Sequence, residues 1–280
     1  MKGVKFMWDA CFESCERLKE HPGSGCILAH CMGLGKSLQV VTLVNTLLTN
    51  DNTRVITSLL NVIVLSPRFI IIVLCIVQVK RALVVCPLST VLNWVNEFKI
   101  WLPGDLELDV FELSSVKSND IRMFTLRNWF EDGGVMILGY DMYRNLTNEK
   151  NKKVRSKMRE VFQQSLVDPG PDIVICDEGH LLKNEVTALS KAMNRIKTLR
   201  RVVLTGTPLQ NSLMEYHCMI QFVKPNLLGT KREFTNRFAN PIKNGQAADS
   251  TDYDVRIMKR RAHVLHKMLE GKFDFKTVYD

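Results

Sequence analysis

The chain has no C-x-x-C pair and no cysteine–histidine group at zinc-finger spacing, although it carries eight cysteines. That excludes the common structural zinc sites. Cys11, Cys15, Cys26, Cys31, Cys75, Cys86, Cys176 and Cys218 mostly sit in apolar runs, so reduced core thiols in a reducing compartment are expected. Cys11, Cys15 and His21 fit a packed helix face better than a metal site. A secretory signal is also missing. The opening MKGVKFMWDACFESCERL lacks an apolar block and a cleavage site, and predicts an amphipathic helix with Val4, Met7, Trp8 and Cys11 on one face. There is no internal repeat. In a reducing compartment the sequon Asn145-Leu146-Thr147 is without consequence. Negative charge is in short supply: 38 Lys and Arg face 29 Asp and Glu, for a net charge of +9 and a pI of about 9.2. This balance favours a polyanionic partner, nucleic acid or an acidic membrane surface, without choosing between them. Apolar residues are plentiful, 46% of 280, enough for one large or two ordinary domains.

Short β-branched or apolar runs alternate with helical patterns. Strands are expected at 26–30, 81–87, 106–113, 135–140, 172–178 (DIVICDE) and 201–206. Helices are expected from Leu38 to Leu48, over TVLNWVNEFKIWL, around IRMFTLRNWF and in the basic stretch NEKNKKVRSKMREVFQQSL. The alternation, with nearly uniform apolarity inside the strands, predicts an α/β fold with a parallel sheet covered on both faces. From Asn240 onward strand signals stop. RIMKRRAHVLHKMLEG predicts a basic helix ending at Gly271 that leaves the main sheet.

The aliphatic run at 55–79 is near the ~20 residues that span a bilayer, but Ser66-Pro67-Arg68 interrupts it. A charge mid-membrane costs about 2.5–3.5 kcal/mol on insertion scales. A buried strand pair turning at Ser-Pro-Arg is the plainer expectation, and an insertion foreign to the working protein is a third.

HCMGLGKS, His30 to Ser37, lacks the first glycine of the phosphate-loop pattern G-x-x-x-x-G-K-[ST] (Walker A). His30 stands in its place and Cys31 follows. Gly33 and Gly35 still allow backbone N–H groups to close on phosphate, Lys36 can reach it, and the Ser37 hydroxyl can ligate magnesium. Taken alone, the run could be an ordinary strand-to-helix turn with a solvated lysine. DIVICDEGH, however, places Asp177 and Glu178 at the end of an apolar strand, the edge where α/β sheets bind ligands. Asp177 suits a magnesium contact, and Glu178 suits the orientation of an attacking water. LTGTPLQN brings Thr205 and Thr207 to the same edge, where their hydroxyls can relay the γ-phosphate state. His180 on its own is an ordinary turn histidine. Three basic clusters, Lys150–Arg159, Arg195–Arg201 and Arg256–Lys267, each fit a solvated helix face; together they make a phosphate-backbone surface plausible.

HCMGLGKS, LVVCPLSTVLNWVNEF, ILGYDMYRN, DEGH and LTGTPLQNSLMEYH in this order resemble the first motor lobe of the Swi/Snf-type ATPases of helicase superfamily two. Most members read DEMGLGKT and DEAH. His30-Cys31 in place of the acidic pair, Gly179 in place of alanine, and the runs DPGPDIVICDEGHLLKNE and NPIKNGQAADST are similar to the branch of ATRX-type chromatin remodellers. The resemblance implies a RecA-like lobe over 1–240, with 51–80 as an apolar insertion and 241–280 as a basic helical extension. It implies ATP and Mg2+ as cofactors, double-stranded DNA and nucleosomes as partners with histone or chromatin contacts in the full-length protein, no membrane, and a nuclear location. By motif, residues 30–37 (His30, Cys31, Met32, Gly33, Leu34, Gly35, Lys36, Ser37) would bind ATP, with Ser37 and Asp177 on the metal. Asp177 and Glu178 would carry hydrolysis, and His180, Thr205, Gly206 and Thr207 the coupling to DNA. Pro87-Leu88-Ser89 and Gly139-Tyr140 would face DNA.

The resemblance also places the family's adenine-contacting glutamine before this chain, and its second lobe with the arginine fingers after it. Half an active site is the expectation. The competing reading is therefore a nucleotide- or DNA-binding module without turnover. A membrane-anchored protein with a degenerate nucleotide fold rests on 55–79 alone.

Overall fold

The computed structural model describes residues 2–12, 22–31, 33–49, 79–102, 108–150, 154–206 and 213–276. Helix α1 (Lys2–Cys11) leads to strand β1 (Cys26–His30) and α2 (Lys36–Thr49). Strand β2 (Arg81–Cys86) turns through a 3-10 turn, Leu88–Thr90, into α3 (Val91–Trp101). Then come β3 (Val110–Glu112), α4 (Asn119–Asp132), β4 (Gly134–Gly139), α5 (Tyr140–Leu146) and α6 (Ser156–Leu166). Strand β5 (Ile173–Cys176) is followed by a 3-10 turn, Gly179–Leu182, then α7 (Ala188–Asn194), β6 (Arg201–Leu204) and α8 (Leu213–Val223). The remainder is α9 (Lys231–Phe234), a π turn (Thr235–Ala239), α10 (Asn240–Asn244), α11 (Asp252–Leu269) and β7 (Phe273–Lys276).

The strands form one seven-stranded sheet in the order β3-β4-β2-β5-β6-β1-β7, with every pairing parallel. Side chains alternate between its faces. Leu28, Val84, Ile137, Ile175 and Leu204 point to a core shared with α1, α2 and α3. Ile27, Val85, Leu138, Val174 and Val203 point to the other, shared with α4 to α8 and the segments beyond. Both faces are covered, so neither needs polar residues. That is why the central strands read as unbroken apolar runs.

One expectation is refined and one changes. The basic helix lies off the sheet, against α10 and the π turn, but it stays within the body: α11 buries Leu265 and Leu269 in the second core. Strands do not end at 240, because β7 adds in parallel to β1 beyond it, Leu28 opposite Asp274. Only four residues long and half acidic or basic, FDFK gives no apolar run to read. The aliphatic stretch 55–79 lies outside the described residues except for buried Val79. Among the described residues no helix is long and apolar enough to cross a membrane.

Polar groups pin the sheet at its amino edge. The Asp172 carboxylate accepts from the backbone N–H groups of Lys80 and Arg81, both at 2.9 Å, and from the Arg81 guanidinium at 2.9 and 3.3 Å. This ties β2 to β5 in register. At the opposite edge the turn after β5 presses on β6. A methyl group added at Gly179 would lie 2.1 Å from Cγ1 of buried Val203. Such overpacking typically costs about 1–3 kcal/mol. Gly179→Ala is therefore expected to lower stability by that order in urea unfolding. Gly179→Ala combined with Val203→Ala should cost less than the sum of the two single changes, by roughly 1 kcal/mol. Strict additivity would show that the two positions do not press on each other.

Candidate nucleotide site

The ends of β1, β2, β5 and β6 meet at one sheet edge, and the motifs sit there. The loop after β1 turns through Gly33 and Gly35, whose φ angles of 82° and 67° are left-handed. That region costs a residue with a Cβ but not glycine. Among the described residues a Cβ at either would find nothing within 4 Å, so the loop stands open to them on its outer side. Lys36 opens α2. Its ammonium donates to the carbonyls of His30 (2.7 Å) and Cys31 (3.1 Å), folding the side chain back over its own loop. Partial burial pulls this ammonium down from the ordinary lysine range, while the charges of Asp177 and Glu178 push it back up. Lysine and carboxylates thus share one electrostatic neighbourhood. Gln39 braces the loop from α2, its amide donating to the carbonyls of Leu34 (3.1 Å) and Gly35 (3.2 Å). Ser37 lies beside Lys36 in the first turn of α2.

Asp177 follows β5 directly, and its N–H donates to the Val85 carbonyl at 2.9 Å, extending the β2–β5 ladder. One carboxylate oxygen accepts from the Glu178 N–H (2.9 Å) and the other from the Trp94 indole N–H (2.9 Å). Tyr140 donates its hydroxyl to the Asp177 carbonyl at 2.7 Å. Glu178 holds φ 51° and ψ 51°, left-handed for a residue that is not glycine. Such backbones cost of order 1–3 kcal/mol and cluster at functional sites. His180 sits in the next turn, its Nδ1 3.1 Å from a Glu178 carboxylate oxygen. Thr205 is buried after β6, its N–H donating to the Leu28 carbonyl at 3.2 Å, with Gly206 next to it. Cys86 and Cys176, at the ends of β2 and β5, are pushed up to about 12 by burial and remain neutral core thiols.

Of the expected site residues, Met32 and Thr207 lie outside the described residues. His30 comes to the site differently than expected. It is fully buried, it offers its backbone carbonyl to Lys36, and its ring turns away to Asp274 of β7 (Nε2 to Oδ2, 2.9 Å). Cys31 likewise contributes a carbonyl. Tyr140 does not face outward for DNA: burial and the Asp177 carbonyl claim it. The turn at Leu88 and Ser89 is exposed, with Leu88 69% open. The basic clusters divide. Arg201 is buried, with its guanidinium on the carbonyls of Thr198, Phe222 and Ile196 and over the Phe222 ring; Arg200 lies over Phe12. Arg195 bonds the Thr147 carbonyl, Gln163 and Glu149. That cluster is structural. On α11, Arg256, Lys259, Arg260, Arg261 and Lys267 are exposed and form no ion pair among the described residues.

Sequence reasoning missed Trp94, Gln39 and Asp274. Trp94 lies inside LVVCPLSTVLNWVNEF without a role of its own, Gln39 lies on a helix pattern, and Asp274 reaches the site through a strand that was not expected.

The residues present suit a metal-bound polyphosphate: a lysine held only by carbonyls, an open glycine loop, and a carboxylate whose protein donors are both neutral N–H groups. The profile of the SNF2-related domain matches residues 1–271. The chain is 57% identical over 271 residues to the Transcriptional regulator ATRX homolog of Drosophila melanogaster, and 56% identical over 272 residues to Transcriptional regulator ATRX of Homo sapiens. Each match covers 96% of this chain, but only 19% and 10% of those relatives. Among solved structures, the Sulfolobus solfataricus SWI2/SNF2 ATPase core in complex with dsDNA superposes with a TM-score of 0.61 at 22% identity. That alignment covers all of this chain and 44% of the other, a likeness of fold. With the family profile spanning nearly its whole length and relatives more than half identical, the chain belongs to the SNF2-related domain family.

Proposed function

We propose that this chain is the ATP-binding lobe of a DNA-dependent ATPase that couples hydrolysis to movement along duplex DNA, acting on chromatin in the nucleus within a longer protein. The observation that carries this reading is the convergence of Lys36 with Asp177 and Glu178 at one sheet edge. Family membership and similarity to transcriptional regulators support ATP use and a chromatin setting.

In this reading the carbonyls of His30 and Cys31 hold Lys36 until phosphate oxygens replace them as acceptors. Backbone N–H groups of the loop through Gly33, Leu34 and Gly35 close on the phosphates, helped by the positive end of α2. Ser37 and Asp177 would hold Mg2+, which supplies charge neutralisation at the phosphates. Glu178 orients the water that attacks the γ-phosphorus, as the bond to the departing ADP oxygen breaks. Its left-handed backbone sets the direction in which the side chain leaves the main chain, and His180 Nδ1 lies 3.1 Å from its carboxylate. Thr205 and Gly206, with Thr207, report the phosphate state from β6. The DNA backbone is met by the Leu88–Ser89 turn and the basic face of α11, through phosphates rather than bases. Nucleosomes and histone contacts belong to the longer protein.

Purified chain should bind Mg·ATP in calorimetry, and Lys36→Ala should weaken binding by at least about tenfold, the worth of a hydrogen bond to a charged group. Equal binding by both would remove the phosphate-loop reading. Glu178→Gln should bind ATP as well as wild type. In whatever form of the protein turns over, it should slow hydrolysis about 10²–10⁴-fold, the usual worth of a positioned base. Binding with no turnover by this chain alone would identify it as a nucleotide module whose hydrolysis needs residues elsewhere in the longer protein.

The α11 surface gives a separate test. Replacing Arg256, Lys259 and Arg260 by Gln should weaken duplex DNA binding regardless of sequence. The plot of log affinity against log salt should flatten by about 0.9 for every DNA phosphate that the variant no longer neutralises. An unchanged slope would make α11 a merely solvated face.

A further inference from the structure

The hydrogen bond from Trp94 to Asp177 joins α3 to the candidate metal carboxylate, and no motif considered above assigns it. Resting on the ATP-site reading, we propose that Trp94 is a positioning residue: its indole N–H fixes the Asp177 carboxylate in the orientation that receives the magnesium of Mg·ATP.

Three observations carry this. First, among the described residues both oxygens of Asp177 have one neutral donor each, the Glu178 N–H and the Trp94 N–H, both at 2.9 Å. A carboxylate oxygen offers two lone-pair sites, so each keeps one free. The two donors together stop rotation about the carboxylate bond. Second, both donors are uncharged. A lysine or arginine in the place of the indole would hold the group as firmly but would cancel the charge a cation needs. Lys36, the cation of this site, is instead engaged by the carbonyls of His30 and Cys31. Third, the bond exceeds what packing requires. Trp94 is 3% exposed, packed near Phe98 with ring centroids 6.3 Å apart. A buried indole N–H needs an acceptor, but a backbone carbonyl suffices. Trp129, the other buried indole described, uses the Gly134 carbonyl at 3.0 Å. Trp94 uses the carboxylate at the end of β5.

Trp94 lies in the first turn of α3, directly after the Leu88–Thr90 turn, whose Leu88 and Ser89 are exposed.

The test is Trp94→Phe in the full 280-residue chain, which keeps an aromatic ring and deletes the donor. ATP binding is titrated with Mg2+ and repeated in EDTA, and thermal stability is recorded beside both. The expected result is that affinity without magnesium is unchanged and the magnesium concentration at half-saturation rises about tenfold, the order for a missing hydrogen bond to a charged group. In an Asp177→Asn background, Trp94→Phe should have no further effect on the magnesium dependence. Equal magnesium dependence in Trp94→Phe and wild type, with wild type binding Mg·ATP, overturns the positioning role and leaves the ATP site standing. A wild type that binds no Mg·ATP overturns both. Should Trp94→Phe fail to fold, the wild-type chain labelled with 15N-tryptophan answers instead. The Trp94 indole N–H signal should shift on addition of Mg·ATP and lose that response in Asp177→Asn. A signal indifferent to Mg·ATP overturns the proposal.

Discussion

Parallel pairing with apolar cover on both faces is the constraint from which the rest of this structure follows. When every strand runs the same way, every strand ends at the same edge. Each connection must then cross back over a face of the sheet as a helix, and both faces become core. The chain keeps its polar and charged chemistry for the one line where strands stop. His30, Cys86, Cys176 and Leu204 are the last residues of four neighbouring strands. The residues after them are the glycine loop, the Leu88 turn, the two carboxylates and the Thr205 turn. Residues far apart in the chain meet because strand order brings β2, β5, β6 and β1 side by side.

That geometry explains why some residues of the candidate site could be placed at the sheet edge from sequence and others could not. Asp177 and Glu178 follow an apolar strand directly and Lys36 follows one after a short glycine loop, so a one-dimensional pattern suffices to place them at the edge. Trp94 reaches Asp177 from the first turn of a helix on the opposite side of β2's end, and nothing within a few residues of either marks the pair. Tyr140 was misplaced too. The resemblance alone put it facing DNA, but its hydroxyl points inward to the Asp177 carbonyl. Charge misled as well. Arg195 to Arg201 reads as a basic cluster, yet Arg201 closes carbonyls within the core while the basic residues of α11 face solvent. Formal charge is visible in sequence; the acceptors that absorb it are not.

β7 was the element least accessible to pattern, and it accounts for a departure inside the phosphate loop. The sequence resemblance leads one to expect an acid where this chain has His30. Here β7 lies against β1 and sets Asp274 at 2.9 Å from the His30 ring. An acid at position 30 would face that carboxylate at close range and repel it. The imidazole turns the contact into a hydrogen bond, while the position-30 carbonyl accepts from Lys36. Two features with no obvious link in the sequence, an atypical loop and a polar tail strand, compensate each other.

The charge balance at the edge decides what form of ligand fits. Lys36 brings one positive charge, and Asp177 and Glu178 bring two negative ones that act on it. The N-terminus of α2 adds about half a positive charge. The donors on Asp177, backbone and indole, add no formal charge. A free polyphosphate entering here would meet carboxylates that its own charge repels. A polyphosphate carrying a divalent cation would not, because the cation offsets one set of negative charges with the other. In the proposed reading the neutral donors around Asp177 therefore matter as much as the lysine: they would hold the carboxylate in place while leaving its charge for the metal.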